Sequence, residues 1–171
     1  YQYQYTMKQL EEHTDYELFK TSEGLEICFN YNFNKRIEYL PNGVNVIMFN
    51  DLYDNHIDYL PNEITHIHFG DKFNKSVENL PNGLKYVHFG CSFAQSINYL
   101  PESIEEIKLT VHYDGSKIEK LPKSLKVFNV YQKDKITYEN DFQIIEREPC
   151  ENYYEIYKNL ELKYKNVKFY Y

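Results

Sequence analysis

Of the six histidines in the chain, His66 and His68 stand two residues apart, and His88 follows twenty after His68. In a β-strand a two-residue spacing puts both side chains on one face. If the strand carrying His88 lies beside the strand carrying His66 and His68, three imidazoles fall within about 7 Å, a donor set that zinc or copper accepts. No Asp or Glu is expected in the same rows to orient the rings, as a formed metal centre would have. The same histidines, with Tyr86 beside them, are expected to titrate between roughly pH 6 and 7 and to make partner binding pH-sensitive. Cys91 follows Gly90 close to His88, and a Cys/His pair can act as nucleophile and base. No oxyanion donor or third orienting group accompanies it. Glu105 and Glu106 are adjacent, so in a strand they face opposite sides and cannot share acid/base work. There is no Gly-rich phosphate loop, no Gly-x-Ser-x-Gly elbow and no His-Glu-x-x-His run. The residues point to binding, not catalysis.

What positions them is a repeat. Leu-Pro pairs open at Leu40, Leu60, Leu80, Leu100 and Leu121, at spacings of 20, 20, 20 and 21 residues. A period of that length marks a stacked solenoid. Three apolar positions recur after each pair: Val44, Ile47, Phe49; Ile64, Ile67, Phe69; Leu84, Val87, Phe89; Ile104, Ile107, Leu109; Leu125, Phe128, Val130. A weaker copy upstream has Gly24 or, by a one-residue slip, Leu25, then Ile27 and Phe29. A second aromatic follows at Phe33, Tyr53, Phe73, Phe93 and Tyr113, then a β-branched residue at Ile37, Ile57, Val77, Ile97 and Ile118. The β-branched and aromatic run reads as a short strand in each copy. Pro41-Asn42-Gly43 and its copies read as turns. One coil cannot close a core alone, but stacked coils share one. Twenty residues leave no room for a regular helix, so an extended or 3₁₀ return is expected.

Segments such as FNKRIEYLPNGVNVIMF and FNKSVENLPNGLKYVHFG closely resemble the FNIP repeat, a leucine-rich-repeat-like family. The pattern covers about residues 24–131 and recurs five times. The chain departs from it at Tyr53-Asp54, Phe93-Ala94 and Tyr113-Asp114 in place of Phe-Asn, and at Phe49-Asn50 and Leu109-Thr110 in place of Phe-Gly. The resemblance implies a right-handed leucine-rich-repeat-like solenoid, α/β or mainly β. A curved parallel sheet of short strands would line its concave side, with irregular or 3₁₀ returns on the convex side. It further implies a setting in social amoebae or the large DNA viruses that infect amoebae, and a host-cytoplasmic protein. Many relatives carry an N-terminal F-box, which implies substrate reception for a ubiquitin ligase and partners among host or ubiquitin-ligase proteins. The chain starts at Tyr1, not Met, so an F-box is expected upstream if one exists.

Composition fits this reading. Nineteen Lys and Arg against 26 Asp and Glu give a net charge of −7, which argues against a nucleic-acid surface. Cys28, Cys91 and Cys150 are odd in number and widely spaced, as expected of reduced thiols in a cytosolic protein. No stretch has the length of a membrane-spanning helix, and no cofactor is expected. Residues 1–23 are expected to cap the solenoid, with a helical turn near Met7–Glu12 and a strand at Tyr16–Phe19. Residues 24–131 are expected to form six coils. Residues 132–171 are expected to form a second cap: Ile136 ending the last coil, a strand at Phe142–Glu146, a helix from about Cys150, and a closing strand. Residues between the core positions should form a grid on the concave face, with Val46, Met48, His66, His68, Tyr86, His88, Glu106 and Lys108 binding a protein partner.

Overall fold

The computed structural model describes residues 8–12, 15–58, 60–131, 135–139, 142–146 and 153–170. Six short strands recur at the repeat spacing: β3 (Gly24–Phe29), β4 (Val44–Met48), β5 (His66–His68), β6 (Tyr86–His88), β7 (Glu106–Thr110) and β8 (Val127–Tyr131). Two more precede them, β1 (Lys8–Glu12) and β2 (Tyr16–Thr21). After them come the hairpin β9 (Lys135–Glu139) and β10 (Phe142–Glu146), the helix α1 (Tyr153–Lys163) and β11 (Lys168–Tyr170). One nine-stranded sheet runs in the order β1-β2-β3-β4-β5-β6-β7-β8-β11, with β9 and β10 forming a separate two-stranded sheet. From β3 to β8 and on to β11 every pairing is parallel, while β2 pairs antiparallel with both β1 and β3. The molecule is a β-solenoid whose successive coils stack rung on rung, with Ile47 beside Ile67, Ile67 beside Val87 and Val87 beside Ile107.

Each coil turns twice, and both turns are written in its repeat. The first is closed by the Pro carbonyl: Ile64 N–H donates to Pro61 O at 3.1 Å, and Leu84, Ile104 and Leu125 donate likewise to Pro81, Pro101 and Pro122. The second follows the strand, where Tyr53, Phe73, Phe93 and Tyr113 N–H donate to the carbonyls of Asn50, Gly70, Gly90 and Thr110. The returns are turns and bends, with one 3₁₀ helix at Gly115–Lys117. That helix sits in the 21-residue coil and takes up its extra residue.

The core is a double ladder of rings. Phe29, Phe49, Phe69 and Phe89 stack at 5.3–5.4 Å between centroids. Phe33, Tyr53, Phe73, Phe93 and Tyr113 form a parallel stack at 5.8–6.3 Å. Within a coil the two rings face each other, as Phe89 and Phe93 do at 3.9 Å. Ile47, Ile64, Ile67, Tyr53, Phe73, Val87 and Ile107 are fully buried.

Coils are also fastened by side chains that accept the next coil's backbone N–H. Asn34 Oδ1 takes Asp54 N–H, Asp54 Oδ1 takes Asn74 N–H, and Asn74 Oδ1 takes Ala94 N–H, at 2.9–3.0 Å. Only an acceptor is needed, so Asp54 continues the ladder where the repeat pattern has Asn. Ala94 has no acceptor and ends it, and Asp114 turns its carboxylate to Ser116 instead.

Three expectations are corrected. Lys8–Glu12 is a strand, because pairing with β2 supplies backbone partners that one helical turn would lack. Ile136 does not close a coil; it lies in β9 opposite Ile145. The closing strand, expected over residues 162–171, spans Lys168–Tyr170, since Leu162 and Lys163 still belong to α1. In the first copy, Leu25 and not Gly24 stands beside Val44, across a bulge between Leu25 and Glu26.

Candidate functional site

Strand alternation turns the residues between the core positions to the outer face of the sheet. Parallel register sets them in two rows. One runs Glu26, Val46, His66, Tyr86, Glu106, Val127, and the other Cys28, Met48, His68, His88, Lys108, Asn129. Both rows place the residues picked from sequence side by side. Among the described strands and helices, only their sheet neighbours lie close to β4 to β7. Met48, His66, His68, Tyr86, His88, Glu106 and Lys108 are half-buried. Val46 is the exception: at 3 % exposure it offers no contact surface, because Glu26 and His66 flank it on adjacent rungs.

The aromatic residues of the two rows form one connected strip. His66 stacks on Tyr86 at 5.7 Å, and His68 lies 4.9 Å from the same ring. His68 and His88 meet edge to face, with their Nδ1 atoms 3.3 Å apart, so one donates to the other. His88 Nε2 is 2.6 Å from the Tyr131 hydroxyl, and Lys108 Nζ lies 4.6 Å from the centre of the Tyr131 ring. The sequence reading missed Tyr131. It lies beside Thr110 in the longer strands β7 and β8, where a third outward position exists, and the signal was an aromatic at that odd position.

The imidazoles are directed at neighbours, not at a common centre. His66 Nδ1 is 2.9 Å from Thr65 Oγ1, and its Nε2 is 3.8 Å from Glu23 Oε2. Among the described residues no group of three or more His, Cys, Asp and Glu side chains is disposed to hold a metal ion. The expectation that acids are missing from the rows is also corrected, since Glu26 and Glu106 share the row of His66.

Burial sets the protonation of the strip. It pushes His68 down to about 4, helped by the positive charge of neighbouring His66 and Lys108. Burial also lowers His66, against the opposing pull of Glu23 and Glu26. His68 is therefore neutral at pH 6 to 7, and the expected titration window of the pair moves to lower pH. Burial raises the Glu106 carboxyl, with Lys108 opposing. Burial, then the hydrogen bond to Glu26, pushes the Cys28 thiol far above its ordinary value. That thiol is a poor nucleophile. Cys91 is half-buried on the turn after Gly90, and neither it nor Cys28 is in a disulfide. No described helix is long and apolar enough to cross a membrane.

The repeat family can now be read against this geometry. No curated protein matches the chain. The family model for the FNIP repeat matches residues 53–92 and 73–112, the span that contains β5, β6 and β7 and with them His66, His68, Tyr86, His88, Glu106 and Lys108. Residues 53–112 of the chain carry FNIP repeats.

Proposed function

We propose that this solenoid is a non-catalytic protein-interaction scaffold that receives its partner on the outer face of the sheet. Met48, His66, His68, Tyr86, His88, Glu106 and Lys108 make the contacts, and Tyr131 joins them. The observation that carries the reading is the connected strip of aromatic rings along the outer face of the sheet. Rigid rings lose little conformational freedom on binding, and tyrosine is enriched at interface hot spots. Stacked repeats commonly bind partners on such an extended surface. The finer setting is an adaptor in the cytoplasm of an amoebal or virus-infected cell that presents proteins for ubiquitination.

The test is affinity capture from amoebal lysate with three baits: wild type, Tyr86→Ala/His88→Ala, and Tyr39→Ala, whose side chain is 72 % exposed on a return. Proteins retained by wild type and Tyr39→Ala and lost at least fivefold by the double variant are the expected result. Equal capture by all three, with the double variant still folded, removes the outer face as the docking surface.

A further inference from the structure

We propose that the β3 end of this face seats one side-chain cation, a lysine or arginine presented by an extended segment of the partner protein. This rests on the outer face being the docking surface.

Glu26 is a carboxylate on the outer face with only 7 % of its surface exposed. Its neighbours on the adjacent strands are Phe19 of β2 and the buried Val46 of β4. The hydrogen bond it receives comes from the Cys28 thiol, Sγ to Oε1 at 3.2 Å, and a thiol is a weak donor. No described Lys or Arg forms an ion pair with it. A buried carboxylate with so little compensation is costly, and proteins ordinarily pair such a group with a cation.

The groups around it do not supply one. Across the row lies His66, whose charged form burial disfavours, with Glu23 Oε2 3.8 Å from its Nε2. Glu17 stands beside Cys28 on β2. Glu106 lies beyond Tyr86, and Lys108, the lysine of the second row, faces Tyr131. The β3 end therefore offers carboxylates at Glu17, Glu23 and Glu26, with His66 Nε2 beside Glu23. A lysine or arginine head meets Glu23 and Glu26 there, and its methylene stem lies along Met48. A metal ion fits less well, because no described group of three ligating side chains is disposed to hold one.

Two acetylated and amidated pentapeptides test this: Thr-Val-Lys-Val-Thr, and the same peptide with norleucine for lysine. Each is titrated into the isotope-labelled full chain and followed by NMR. The lysine peptide is expected to shift the signals of Cys28, His66 and Tyr86 saturably, and the norleucine peptide to bind at least tenfold more weakly. Glu26→Gln is expected to lose the same tenfold for the lysine peptide while the chain stays folded. Equal shifts from the two peptides, or lysine-peptide binding unchanged in Glu26→Gln, overturn the seat. Should Glu26→Gln not fold, the comparison of the two peptides on the wild-type chain decides alone. A face that captures partners yet treats both peptides alike overturns this seat and leaves the scaffold role standing. A face that prefers the lysine peptide but captures nothing does the reverse.

Discussion

His68 sits where two demands meet. Its ring completes the strip between Tyr86 and His88, and the same enclosure removes the water that would stabilise its charged form. In the folded chain it titrates at about 4, against about 6.5 for a solvated histidine. Between those values the unfolded chain binds a proton that the folded chain refuses. Its contribution is therefore intact above about pH 6.5 and is lost as the pH falls toward 4, by an amount on the order of 3 kcal/mol. His68→Phe keeps the ring and removes the titration. The stability advantage of wild type over His68→Phe, measured by urea unfolding, is expected to shrink steadily from pH 7 to pH 4.5. A difference constant across that range would show that His68 is already solvated in the folded chain.

At the scale of one coil, the repeat's invariant-looking letters answer to how closely rungs approach. A side-chain carbon added at Gly90 would meet the Gly70 carbonyl oxygen at 2.3 Å, and one at Gly70 would meet the Asn50 carbonyl oxygen at 2.1 Å. The backbone of the neighbouring coil cannot withdraw without breaking the ladder. Asn50, where the pattern has Gly, instead uses its side-chain amide to donate to the Asn30 and Phe33 carbonyls at 2.8 Å. Gly43 differs: a carbon there meets only Leu25 Cδ2 at 3.9 Å, and the constraint is its φ of +85°. Gly90→Ala is therefore expected to cost about 1–3 kcal/mol through overpacking. Gly43→Ala should cost about 1 kcal/mol through strain in the left-handed region. Both are read as shifts in the urea midpoint, and equal costs would mean that coil spacing yields more readily than this stacking implies.

Across the whole molecule, stability is transmitted from neighbour to neighbour along the solenoid. Phe73 is fully buried and has rings on three sides, Tyr53, Phe93 and Phe69. Phe33 lies in the first coil, with Phe29 and Tyr53 as its ring neighbours. Phe73→Ala is expected to destabilise the chain by about 3–5 kcal/mol and Phe33→Ala by clearly less, both from chemical denaturation. An end substitution as damaging as the central one would mean that the chain unfolds as one indivisible unit. At the two ends of the ladder the chain changes its packing. Tyr16 of β2 meets Phe29 edge-on. At the other end Tyr157 of α1 lies against Phe128 and donates its hydroxyl to the Tyr113 carbonyl at 3.0 Å.

The solenoid, its rung positions and the two outward rows follow from the repeat alone. A twenty-residue period with apolar residues two apart admits one way of sharing a core, and each coil repeats the same local code. The slip at Leu25 and the roles of the Pro and Gly turns were legible for the same reason. Tertiary structure decided what the rows are worth. Burial of Val46 and Glu26, the downward pKa shifts of His66 and His68, and the reach of Tyr131 to His88 all depend on which side chains meet across rungs. A repeat pattern fixes where a residue stands, but solvation and hydrogen bonding are set by neighbours twenty or more residues away. The strand at Phe142–Glu146 was legible, while those at Lys8–Glu12 and Lys135–Glu139 were missed because they lie outside the repeat, where no neighbouring copy constrained their reading.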